Sequence, residues 1–138
     1  MKVDKKINFK KNKLEKLKLK KNDLTISLYT MQFVQSKYRE LIYDRIFKSL
    51  NWGGAFVLFE KIRGKDVRFQ DIMNFLYFDF KRNNGLSKEE ILNKKLSLRS
   101  VLDPYTLKAN LDFLKRAGFK DVMPICQYLS FIGLLVIK

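Results

Sequence analysis

The stretch from Leu24 to Phe59 reads strand, helix, strand, and no other part of the chain constrains the fold as much. Leu24–Phe33 (LTISLYTMQF) is an apolar run that predicts a buried strand passing into a loop. Tyr38, Leu41, Ile42, Ile46 and Leu50 recur at helical spacing, which predicts an amphipathic helix over residues 36–50. Asn51-Trp52-Gly53-Gly54 breaks that helix, and Ala55–Phe59 predicts a second apolar strand. Two strands joined through a helix run parallel, and the crossover between them is right-handed. An α/β sheet is therefore expected.

The remainder of the chain supplies further helices and a closing hairpin. Asp66–Asn83 is aromatic on nearly every side (Phe69, Phe75, Tyr77, Phe78, Phe80), so it is expected to be buried all round or to face another subunit. Core packing is the expectation for most of those rings. Ser87-Lys88-Glu89-Glu90 is a capping box that opens a helix reaching about Ser100. Thr106 suits the N-cap of another helix, which Gly118 closes in the left-handed conformation. Val122–Leu129 and Phe131–Ile137 are joined too tightly for a crossover and so pair antiparallel. At 138 residues there is room for one core, and 46% hydrophobic residues are enough to fill it.

Composition narrows the chemistry. There is no histidine, which excludes a Ser-His-Asp or Cys-His nucleophilic site and any zinc site with histidine ligands. Cys126 is the single cysteine, so no intrachain disulfide forms, which suits a reducing cytoplasm. Carboxylates, lysines, arginines, tyrosines or a borrowed cofactor must carry any reaction. Lys and Arg number 29 against 14 Asp and Glu, for a net charge of +15. Residues 1–22 form a lysine-rich segment, with Ile7–Phe9 a possible short strand, ahead of a domain over 23–138. That segment holds ten lysines against Asp4 and Glu15, and such an arm attracts phosphate backbones. A plain solvated face is the competing account, because lysine lacks the bidentate fork of arginine. No apolar region follows the first lysines as a signal peptide requires, and Val122–Ile137, the longest uncharged stretch, is short for a membrane span. A soluble, cytoplasmic chain is expected.

Several runs are similar to one family. Thr30-Met31-Gln32-Phe33, Gly53-Gly54-Ala55 with Glu60-Lys61, Asp79-Phe80-Lys81-Arg82 with Asn84-Gly85, and Ala117-Gly118-Phe119 resemble the carboxy-S-adenosylmethionine synthases. The likeness runs from about Ile7 to Lys138, and the Asp79–Gly85 run is its most specific part. It implies an α/β fold: the C-terminal half of a Rossmann-like class I methyltransferase, with about four strands and an antiparallel last strand. It further implies an enzyme that makes carboxy-S-adenosylmethionine from S-adenosylmethionine and prephenate. That product serves the modification of wobble uridine in tRNA. A homodimer is implied as well. The family's arginine for the cofactor carboxylate falls at Lys95, which keeps the charge and loses the fork. Without the resemblance, Lys95 reads as a solvent-facing helix lysine.

Much of the family's cofactor machinery has no counterpart within these residues. Class I methyltransferases need a glycine-rich turn after the first strand, for close backbone approach, and an acid after the second for the ribose. The six glycines here, 53, 54, 64, 85, 118 and 133, form no such turn. The family's adenine-binding acid falls at Lys13, which can only donate, and its apolar adenine wall at Leu14. A strand-end asparagine falls at Leu28, which can bind nothing polar. Lys95 and Leu14 are thus the candidate contacts for S-adenosylmethionine or its carboxy derivative, and no catalytic residue is assigned. With the family's first two strands missing, the Leu24–Phe33 strand becomes an apolar open edge that invites another chain. Three roles are expected to compete. The first is a split or truncated synthase that is inactive without a complementary half. The others are a non-catalytic dimerising module and a basic module that touches tRNA through residues 1–22.

Overall fold

The computed structural model describes residues 9–138. Its sheet has four strands: β1 (Asn22–Leu28), β2 (Leu50–Lys61), β3 (Asp121–Tyr128) and β4 (Phe131–Ile137). Their order is β1-β2-β4-β3, with β1 parallel to β2 and the other pairs antiparallel. Four helices accompany them: α1 (Ser36–Ser49), α2 (Val67–Asn83), α3 (Lys88–Ser97) and α4 (Leu107–Arg116). α1 is the crossover of the β1-α1-β2 unit.

Period decides which face is buried. Phe56, Leu58 and Glu60 alternate inward along β2, as do Ile132, Leu134 and Val136 along β4. Ile42, Tyr43 and Ile46 cover them from α1, while Leu114, Ala117 and Phe119 close the same cluster from the α4 side. Each large apolar side chain among these contributes about 1.5–3 kcal/mol by leaving water. α4 begins at Thr106, whose hydroxyl accepts the Ala109 N–H, and ends before Gly118 at φ 110°. A Cβ there would stand 2.9 Å from the Phe47 ring, so conformation and space both demand glycine. The capping box of α3 forms in both directions between Ser87 and Glu90.

Three expectations need correction. The first strand passes into a loop as expected but is less buried than its composition predicts, as the open edge expected from the resemblance leaves it. It stops at Leu28, ahead of Tyr29 at φ 52°, and Leu24, Ile26 and Leu28 are all more than half exposed. β1 is the sheet's outer edge, so its apolar residues have sheet on one side only. The break at residues 51–54 ends α1 but lies inside β2, which already pairs at Leu50; the extra residues form a bulge, with Gly53 at φ 74°. The aromatic helix is not core: no α2 residue is buried, and Phe75 is 72% exposed. Composition alone cannot tell a core helix from an uncovered one. The possible strand at Ile7–Phe9 lies mostly outside the described residues; Phe9 itself is exposed.

Candidate functional site at the carboxyl ends of β1 and β2

In parallel α/β sheets, ligands bind beyond the carboxyl ends of the strands. Here that region is the loop after β1, the end of β2 and the loop preceding α4. The loop after β1 turns inward, so that Met31 and Gln32 are buried. Gln32 Oε1 accepts the Lys61 N–H at 2.7 Å, and Glu60 Oε1 accepts the Met31 N–H at 2.9 Å. Burial raises the Glu60 pKa from 4.5 to about 7, against the lowering effect of hydrogen bonds from the loop backbone and the Arg39 charge. Arg39, 2% exposed, donates to the Val34 and Gln32 carbonyls and to that of Asp103, and its guanidinium lies 4.4 Å from the centre of the Tyr105 ring. The Asp103 carboxylate accepts Ser36 Oγ at 3.1 Å and Arg63 at 3.2 Å. An open pocket of about 590 Å³ lies over Phe33, Arg63 and Asp103.

A second group gathers around Tyr77. Lys61 Nζ lies 4.9 Å from the centre of the Tyr77 ring and Lys81 Nζ 4.0 Å. The Lys61 pKa is lowered by burial and by the Lys81 charge, and that of Lys81 by burial and by the Lys95 charge. Lys95 therefore stands close enough to Lys81 for their charges to repel. Two ammonium groups near one ring, with the Lys95 charge acting on one of them, form a surface that an anion relieves. Nothing here supplies a metal site: among the described residues no three His, Cys, Asp or Glu side chains gather.

The sequence-derived candidates are spread across the fold. Leu14 lies in a short 3-10 turn (Leu14–Lys16) and lines an apolar slot of about 200 Å³ with Leu17, Leu19, Ile26, Met31 and Ile42. Lys13 precedes that turn and is exposed, while Leu28 ends β1 at 59% exposure. Lys95 is on α3 and is not among the residues that line this slot. An adenosyl group would find one apolar wall at the slot and the hydroxyls of Thr25, Ser27 and Thr30, and among the residues lining it no carboxylate for its ribose. These residues do not complete such a site. Sequence reasoning missed Arg39 and Asp103. Arg39 shares the helical stripe of Ile42, Tyr43 and Ile46, and a charge on an apolar stripe signals a buried partner.

The sheet order, with one parallel crossover and an antiparallel last strand, defines the class: this is the C-terminal half of a class I methyltransferase fold. Solved structures agree on the fold. Human N-acetylserotonin methyltransferase in complex with SAM matches 99% of this chain and 35% of its own, at 16% identity and TM-score 0.62. An O-methyltransferase family 2 protein from Planctomyces limnophilus matches 92% and 33%, at 14% identity and TM-score 0.63. No family model matches the chain. Among curated proteins, it is 43% identical over 112 residues to the carboxy-S-adenosyl-L-methionine synthase of Staphylococcus epidermidis, covering 81% of this chain and 49% of that one. To the synthase of Campylobacter lari it is 35% identical over 132 residues, covering 96% and 56%. The chain is a homologue of the carboxy-S-adenosyl-L-methionine synthases and spans about half the length of these relatives. No described helix is long and apolar enough to cross a membrane.

Proposed function

We propose that these residues are the C-terminal half of a carboxy-S-adenosylmethionine synthase unit that acts only when a complementary half docks on β1. The observation that carries this is the open edge of β1, where Leu24, Ile26 and Leu28 stand more than half exposed beside the slot lined by Leu14. Ser27 Oγ, on the same strand and lining the same slot, is buried without a hydrogen-bond partner, which leaves a polar group for a docked strand or ligand to satisfy. The docking half would bring the glycine turn and the ribose-binding acid. This half would bring the adenine wall at Leu14, the loop fixed by Glu60 and Gln32, and the cationic surface at Lys61, Lys81 and Lys95 for a carboxylate. S-adenosylmethionine or its carboxy derivative is the cofactor in this reading, the wobble uridine of tRNA the downstream target, and the cytoplasm the setting.

The test is to co-express this chain with the N-terminal half of the Staphylococcus epidermidis synthase and titrate S-adenosylmethionine by calorimetry. Saturable binding by the purified pair and by neither half alone is expected. Full binding by this chain alone contradicts the proposal.

A second reading, a non-catalytic self-associating module, is favoured by α2. Phe69, Ile72, Phe75 and Leu76 expose an apolar face that a second copy of the chain would cover. Sedimentation separates the two readings. A stable homodimer that binds no adenosyl compound, even beside the other half, supports the module.

A further inference from the structure

We propose that the cleft between residues 16–21 and the last turn of α1 binds the phosphodiester backbone of a nucleic-acid strand. This stands apart from the enzyme reading and rests on different residues. The cleft has a volume of about 530 Å³, and Lys16, Lys18, Lys21, Arg45 and Lys48 line it with no acidic residue among its walls.

The sequence builds this cleft by period. Lys16-Leu17-Lys18-Leu19-Lys20 alternates, and an extended segment sends alternate side chains to opposite sides. Leu17 and Leu19 turn towards the protein, with Leu19 against the core, while Lys16, Lys18 and Lys20 are exposed. Hydrogen bonds then fix the segment on α1. Arg45 donates to the Glu15 carbonyl at 2.6 Å, Lys21 Nζ to the Lys48 carbonyl at 2.9 Å, and Asn22 Nδ2 to Ser49 Oγ at 3.3 Å. The segment that carries these cations is thus held against α1.

A simpler role for these lysines is to neutralise the carbonyl end of α1. That role is already filled. Lys21 covers the Lys48 carbonyl, and Lys138 Nζ covers those of Phe47 and Leu50 at 2.7 Å each. Lys48 is partly balanced by Asp44 at 2.7 Å. Lys16 and Lys18 have neither role, and they crown a cleft in a chain of net charge +15. Regularly spaced phosphates along a strand match cations spaced along an extended segment, and each contact gains affinity by releasing counterions.

The experiment uses the full chain and fluorescence anisotropy with labelled oligouridine and oligothymidine of equal length, over a salt series. One variant carries Lys16→Gln, Lys18→Gln and Lys48→Gln. A control loses the same charge away from the cleft, through Lys88→Gln, Lys115→Gln and Lys120→Gln. Thermal melts establish that both fold. The cleft variant is expected to bind about tenfold more weakly at low salt, with a slope of log K against log [salt] shallower by about 2, at roughly 0.7 per lost single-strand contact. The control is expected to stay close to the parent. Equal affinity for the two strands identifies phosphodiester as the recognised group; a preference for oligouridine adds the 2′-hydroxyl. Equal loss from both variants means diffuse charge and overturns the site, as does the absence of binding to either strand.

Discussion

Glu60 accepts the backbone N–H of Met31 at 2.9 Å and so ties the loop after β1 to the end of β2. Both residues are buried, and the loop they anchor occupies the position where class I folds bind ligands. The carboxyl of Glu60 is held in its neutral form up to about pH 7 because burial penalises its charge.

This gives stability a pH dependence of known sign. The folded chain holds the Glu60 proton more tightly than the unfolded chain does. The associated stability is therefore complete below the ordinary value of 4.5 and is lost as pH rises through about 7. At 1.36 kcal/mol per unit the loss is about 3 kcal/mol. Urea unfolding from about pH 4.5 to 8 should show that decline in the parent, and Glu60→Gln should remove it. Parallel profiles for parent and variant contradict the assignment.

Tyr43 lies beside this carboxyl in the core. Its hydroxyl is buried without a hydrogen-bond partner, and burial together with the Glu60 charge pushes its pKa up. An unsatisfied buried hydroxyl destabilises, so Tyr43→Phe is expected to raise unfolding stability by about 1 kcal/mol. A loss of similar size would show that the hydroxyl makes a bond important to the fold.

Gly118 illustrates the opposite case. Alanine there meets a φ of 110° and a ring at 2.9 Å, so Gly118→Ala should cost about 2 kcal/mol. Pairing it with Phe47→Leu should recover part of that cost. Recovery points to the clash, and its absence to backbone strain alone.

The architecture was legible because its signals are local. The period of α1, the capping box at Ser87, the N-cap at Thr106 and the glycine after α4 each specify an element without reference to the rest. What escaped depends on which surfaces meet. Leu24, Ile26 and Leu28 read as buried from composition alone, and only the resemblance, with its two missing strands, pointed to the open edge that β1 forms. Most of the α2 rings read as core for a related reason, since composition does not show whether a neighbouring element or another subunit covers the helix. The candidate site was legible in part. Glu60, Lys61 and Lys81 stood in the quoted runs, yet their convergence with Gln32, Tyr77 and Lys95 depends on loops and helix placement. Arg39 and Asp103 are 64 residues apart and meet only in the folded chain.

The central claim is that β1 is the docking edge for a complementary half. Hydrogen–deuterium exchange on this chain, alone and with the N-terminal half of the Staphylococcus epidermidis synthase, tests it most directly. Backbone amides of Asn22–Leu28 should gain strong protection in the mixture, because an added strand pairs groups that an edge leaves open, while α2 stays unchanged. Protection gained along α2 with β1 unaffected, or none anywhere in a mixture of two folded halves, would contradict the account.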